Sequence, residues 1–433
     1  MIKEESEKKY INDDEKRRRQ LQRKQRKVIK YRKYRKKRKR GTQPFPYAYN
    51  SRLILQLEEN SFAIKPQKCN EVEFITIPVQ FSFTRNPEGT IRFLRELYGI
   101  IMSPNVRQVY FDHSKCTNMG ICASAIMDIL LVECKKWRES RHNKIDYCGK
   151  LIDGKYIASN PEVDTLLKAS GILRHLGVSH EHFPDVECLE LLKNEESSDI
   201  AEKTIDYINR SLHRHSLRLT ERGTNYFGKL LGEIADNCCQ HGGKQVTWYA
   251  QGHYAYDPVS KSGKCQLVIV DFGDTIYEGL KNNSTPMMKK HLQKYVGRIR
   301  TKFPILESEE TLYTLFALQQ RASRFASKKD IVRGNGTAVF LDSFQRLFSG
   351  GEPGASKLSI TSGRCSILFD GTYRLEEKTY NNNYKNKIIA FNEENDLKKP
   401  PDKKYVRSIE QYFPGTVISM ELYINSDLIS KKE

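Results

Sequence analysis

The sequence has no apolar run near the roughly 20 residues that a membrane-spanning helix needs, so no membrane association is expected. None of its ten cysteines forms a Cys-x-x-Cys pair, the spacing on which most structural zinc sites rest. No short apolar core of a secretory signal stands near Met1. The expectation is a cytoplasmic chain with reduced thiols, several of them packing as small hydrophobes. No internal repeat is present, which excludes solenoid and propeller architectures. Acidic side chains are missing entirely between Lys16 and Arg40, where 17 of the residues are Lys or Arg.

That last absence explains the charge of the whole chain. The formal net charge is +20, and the first 40 residues carry +14 of it. The other 393 residues hold only +6, an ordinary balance for a folded protein. Residues 1–42 therefore read as a disordered basic arm, closed by the Gly41–Pro46 break. With 38% hydrophobic residues and 433 positions, the remainder is long enough for more than one compact region.

Period and composition divide that remainder. Residues 70–190 alternate strand and helix signals: a β-rich run Val72–Phe81, a helical segment Gly89–Met102, a strand Val106–Phe111 and an apolar helix Met119–Trp137. Residues 191–219 are charged and helix-prone and read as a helical connector. Residues 220–425 open on a long helix, Asn225–His241, followed by strands at 245–251 and 266–271. A long stretch, Thr275–Arg333, precedes a Gly-rich turn, a helix Thr337–Phe348, and strands at 357–361, 365–370 and 416–423. Residues 374–410 read as a polar insertion. The fold class is α/β.

Three segments carry chemistry. Glu233, Asn237 and His241 recur every four residues and share one helix face. An amide oxygen there can hold Mg²⁺, which accepts few protein ligands when phosphates supply the rest. Asp271 ends the run Leu267–Val270 and precedes Gly273, so its carboxylate sits at a strand end beside a turn. Gly334 and Gly336, followed by Thr337, open a helix whose backbone N–H groups suit phosphate oxygens.

In this order the segments resemble the GHKL (histidine-kinase-like) ATPase superfamily, most closely the anti-sigma-factor serine-kinase type. Glu233–Gly242 resembles its N-box, Asp271-x-Gly273 its G1 box and Gly334-x-Gly336 its G2 box. Thr361-Ser362-Gly363 and Phe413–Thr416 also look typical. The resemblance implies an α/β sandwich (HATPase) over 220–425 that binds ATP and Mg²⁺. Asn237 would hold the metal, Glu233 would act as general base, and Asp271 would read adenine. Gly273, Gly334, Gly336, Thr337 and His241 would shape the base and phosphate contacts. The sequence departs from the family pattern in having Thr275 where a further glycine is usual, and in lacking glycines after Gly336.

Residues 70–190 have a looser resemblance to STAS domains, carried by Val109–Thr117 and the apolar helix from about Ile121. At the family's phosphoserine position stand Ile121 and Cys122, with hydroxyls nearby at Ser114 and Ser124, so a scaffold or interaction role is expected. His180-Glu181-His182-Phe183-Pro184 is an imperfect match to a phosphoacceptor box, and His213 and His215 read as polar surface. The expected function is a nucleotide-dependent regulatory switch with a protein partner, capable of slow ATP hydrolysis or protein-serine phosphorylation, and able to form a homodimer. The alternative is a nucleic-acid-associated module of a defence or mobile-element system, in which residues 16–40, with Tyr31 and Tyr34, bind nucleic acid without sequence preference.

Overall fold

The structure, a computed structural model, describes residues 51–431 except 150, 153–154, 157, 159, 171–182, 184, 194–196, 242–246, 304–307, 321–335, 348–355 and 381–383. The basic arm 1–42, Gly334, and His180, Glu181 and His182 lie outside the described residues. Residues 50–433 form one compact unit.

The first layer follows its sequence signals closely. After helix α1 (Arg52–Glu59), strand β1 (Val72–Thr76) leads to helix α2 (Pro87–Ile101). Asn86 caps α2 by accepting the Gly89 N–H, and Pro87 fills the first turn, where its missing N–H costs nothing. Strand β2 (Gln108–Asp112), helix α3 (Ile121–Ser140), strand β3 (Asp146–Gly149) and helix α4 (Pro161–Ser170) follow. The three strands are parallel in the order β1-β2-β3, with α2 and α3 as crossovers.

The second layer is larger. Strand β4 (Val186–Lys193), helices α5 (Ser197–His213) and α6 (Glu221–His241), and strands β5 (Trp248–Asp257) and β6 (Ser262–Asp271) come first. Helices α7 (Ile276–Asn283), α8 (Pro286–Lys302), α9 (Glu309–Ala317) and α10 (Gly336–Leu347) precede strands β7 (Lys357–Phe369) and β8 (Val406–Ile424). The sheet runs β7-β8-β6-β5-β4, every neighbour antiparallel.

Both faces of this sheet are covered. Leu267, Ile269, Ile418 and Met420 point to one side, into a core shared with α5, α6 and α10 through Tyr207, Phe227, Leu231, Leu341 and Phe344. Against the other side lie α2 and α3 of the first layer. That contact is markedly polar. The Gln266 side-chain oxygen accepts the Ile121 N–H at 3.1 Å, so a sheet residue caps the start of α3. Thr84 donates to Glu421, Glu88 accepts the N–H groups of Glu410 and Gln411, and Arg95 donates to Gln411.

Three expectations change. The helix expected within 191–219 is α5, which packs into the core of the large sheet, and Val186–Lys193 just before it is a strand of that sheet. Two arginines of the stretch, Arg210 and Arg214, pair with Glu187 on β4. The polar stretch 374–410 contains a hairpin (376–380 with 384–388) and then buries Ile388, Ile389, Phe391 and Tyr405. Its average polarity hid a short apolar run. The strands expected at 357–361 and 365–370 are one strand, bent at Gly363, whose φ is +57°.

Cys69, Cys116, Cys122, Cys134, Cys148, Cys188, Cys265 and Cys365 are unbridged thiols, and Cys116, Cys122, Cys134, Cys265 and Cys365 are buried. Among the described residues no helix is long and apolar enough to cross a membrane. Two outcomes test the layer contact. Gln266→Ala should lower unfolding free energy in urea by about 1–3 kcal/mol, the cost of orphaning a buried donor. Burial also pushes the Asp128 carboxyl on α3 up to about 7. The folded chain then holds that proton more tightly than the unfolded chain, so the benefit is present below about 4 and is lost as pH rises through about 7. Asp128→Asn should accordingly melt above the parent at pH 8, with the gap closing toward pH 4.

Candidate functional site

Helix α6 buries Phe227, Leu230, Leu231, Ile234 and Ala235 against the sheet. Glu233 and Asn237 flank that stripe and are half-buried, whereas Asp236 is exposed. Burial, and then the charge of Asp236, raises the Glu233 carboxyl above its ordinary range. A raised carboxyl is a stronger proton acceptor than an ordinary one once ionised. His241 is the last residue of α6.

Asp271 ends β6, the central strand, and is 5% exposed. It is paired with Trp248 on one side and Thr416 on the other, and Thr416 is paired with Ser362. Paired residues in an antiparallel ladder share a face. Asp271, Thr416 and Ser362 therefore form a polar row on the face that α6 covers, at the end of an otherwise apolar stripe. The Ser362 hydroxyl lies 3.1 Å from that of Thr416, donates to the Gly415 carbonyl, and accepts the Ile276 N–H at 2.9 Å. Strand alternation turns Thr361 to the opposite face. The Asp271 carboxylate accepts the Gly273 N–H at 2.9 Å, which shapes the turn after β6. Gly415, at φ +116°, comes so close that a Cβ there would overlap the Asp271 carbonyl.

Thr275 has a local role. Thr275 is the N-cap of α7: its hydroxyl accepts the Glu278 N–H while Glu278 accepts the Thr275 N–H. The stretch after it is helical, with a small core of Leu280, Met288, Leu292, Tyr295, Ile299 and Leu312. Glu310 on α9 accepts the Arg364 N–H at 2.8 Å, and Tyr412 donates to Glu278 at 3.1 Å. These contacts clasp the insertion formed by α7–α9, between β6 and α10, to the bend in β7 and to β8, beside the Asp271 row. The pattern Thr275-x-x-Glu278 was a legible capping signal; the Glu310 contact joins residues 54 apart and had none.

The structure thus puts Asp271 on the sheet face covered by α6, which carries Glu233 and Asn237, with Gly273 in the turn that follows. Gly336 begins α10 and Thr337 is half-buried in its first turn. Helix α10 packs beside α6. The remaining candidates serve the fold. His215 bonds Asp185 at 2.8 Å and packs on Tyr256. Ser124 is fully buried and donates to the Gly120 carbonyl. Burial pushes the Cys122 thiol far up, which suits a packing role.

Gly363→Ala should displace Glu310, since its Cβ would overlap that carboxylate, and should add about 1–2 kcal/mol of left-handed backbone cost. Thr275→Ala should remove about 1 kcal/mol of capping. Hydrogen exchange would report both as faster exchange across Ile276–Asn283 in the otherwise protected chain. Comparison with known protein families, curated proteins and solved structures finds no match for this chain.

Proposed function

We propose that residues 220–425 bind Mg·ATP in the manner of the GHKL superfamily and act as a nucleotide-dependent switch. One observation carries the reading: the buried Asp271 ends the central strand on the sheet face that α6 covers, and α6 bears Glu233 and Asn237. An acid at a strand end, with an amide and a second carboxylate on the helix that covers the sheet, can separate base recognition from phosphate chemistry.

In this reading the Asp271 carboxylate accepts the exocyclic amine of adenine, while Gly273 lets the base approach the backbone. The Asn237 amide oxygen would be a protein ligand of Mg²⁺, and His241 would face the phosphates. A divalent cation bound there would neutralise phosphate charge. Glu233, its carboxyl raised by burial, would accept the proton of the attacking water or serine hydroxyl. The helix start at Gly336 and Thr337 would offer N–H groups to the terminal phosphates. Helices α7–α9, clasped to β7 and β8, are the element whose position the nucleotide would bias, and so the surface a protein partner would read.

Isothermal titration of ATP with Mg²⁺ into the full chain tests this. Binding should occur, weaken at least about tenfold in Asn237→Ala, a loss of about 1.4 kcal/mol or more, and lose its preference for ATP over GTP in Asp271→Asn. Absence of binding in the parent chain would refute the nucleotide reading. Glu233→Gln should bind normally and lose any hydrolysis.

A further inference from the structure

From Lys281 to Lys302 the chain has no acidic residue and seven Lys or Arg. That stretch alone exceeds the +6 net charge of everything after residue 40, so the charge is concentrated rather than spread over the surface. Most of it lies on α8. The helix is fixed by its apolar stripe, Met288, Leu292, Tyr295, Val296 and Ile299, buried against Leu280, Leu312 and Tyr313. Its outward side chains are therefore held in register.

Three of the seven cations are engaged. Arg300 pairs with Glu309 at 3.5 Å, Lys281 donates to Tyr277 and Lys289 to the Asn282 carbonyl. Lys290, Lys294, Arg298 and Lys302 are exposed and make no ion pair with a described residue. They recur every four residues, so successive charges rise by about 6 Å in a row that winds slowly round the helix. Between Lys294 and Arg298, Gly297 leaves open space where a Cβ would stand. The resulting shallow depression, about 400 Å³, is lined by Lys294, Gly297, Arg298, Thr301 and Lys302. It is a notch with cations on its rim and a hydroxyl beside it.

We propose that this face of α8 binds the phosphate backbone of duplex nucleic acid without reading its sequence. A fixed row of cations with no interleaved acid matches a regular polyanion and gains affinity by releasing its condensed counterions. Tyr295, the large ring of the helix, is buried, which leaves His291 as the exposed ring of α8 and little platform for stacking successive bases of a single strand. The row lies in the chain between Asp271 and Gly336, so a bound duplex would bear on the insertion clasped to β7 and β8. The proposal needs no nucleotide at the Asp271 row, and its test contains none.

The test uses the full chain and a combined variant, Lys290→Gln, Lys294→Gln, Arg298→Gln and Lys302→Gln. Binding of a fluorescent DNA duplex is measured by anisotropy over a range of salt concentrations. Losing four phosphate contacts should make the slope of log K against log salt shallower by about 3–4. Lysine acetylation read by mass spectrometry separates this face from residues 16–40: the duplex should protect Lys290, Lys294 and Lys302 in the parent chain. An unchanged slope, or no protection at these lysines, overturns the proposal. Equal protection by a single strand overturns the duplex assignment, and stronger protection by poly-glutamate points instead to an acidic protein. If the combined variant melts early, the footprint of the parent chain decides alone.

Discussion

Everything else in the molecule depends on the burial of strand β6 from both sides. Antiparallel sheets commonly leave one face to water, and their strands then alternate apolar and polar residues. In β6 the run Leu267–Val270 is apolar at every position, and both sets of side chains are buried. Odd positions meet the layer of α5, α6 and α10, while α2 and α3 lie across the other face. A strand in that position must end where the apolar run ends, and it ends on Asp271. The acid is buried because the strand is central, and it meets α6 because of its parity.

The two covering layers are bound by different physics. The α5–α6–α10 side is a continuous apolar core, with large side chains such as Tyr207, Phe227 and Phe344 fully enclosed. Hydrophobic burial of this kind is strong and non-directional. On the α2–α3 side, side-chain amides, hydroxyls and carboxylates are aimed at particular backbone groups: Gln266 at the start of α3, and Glu88 at the strand backbone of Glu410 and Gln411. Such bonds add little net stability but penalise any misplacement. They fix how the first layer sits, while Val268, Val270 and the Phe83–Phe413 contact bury apolar surface on that side as well.

The insertion between β6 and α10 shows a third arrangement. It has a core of its own, yet it is tied to the sheet through Ser362, Glu310 and Tyr412, all around the bend at Gly363. Its apolar side faces inward and its acid-free side outward. One element thereby places the clasp near the Asp271 row and the cations of α8 at the surface.

Much of this was legible in the sequence because it is local. Helical period marked α2, α3, α6 and α10, the β-branched run marked β6, and Asn86-Pro87 and Thr275-x-x-Glu278 marked helix starts. The four-residue spacing of Glu233, Asn237 and His241 placed them on one face of α6 before any coordinates. What the sequence could not supply was partnership. Charge and propensity made residues 191–219 look like a connector, but α5 buries Ile200, Tyr207, Ile208 and Leu212 in the core of the sheet, and where that helix packs has no local signal. Mean polarity made 374–410 look peripheral, although Ile389 and Phe391 complete the core. The alignment of Asp271, Thr416 and Ser362, and the reach of Glu310 to Arg364, depend on register between strands far apart in the chain. Local rules act over a turn or a pleat; register and layer contacts are set by long-range burial, and only the tertiary structure decides them.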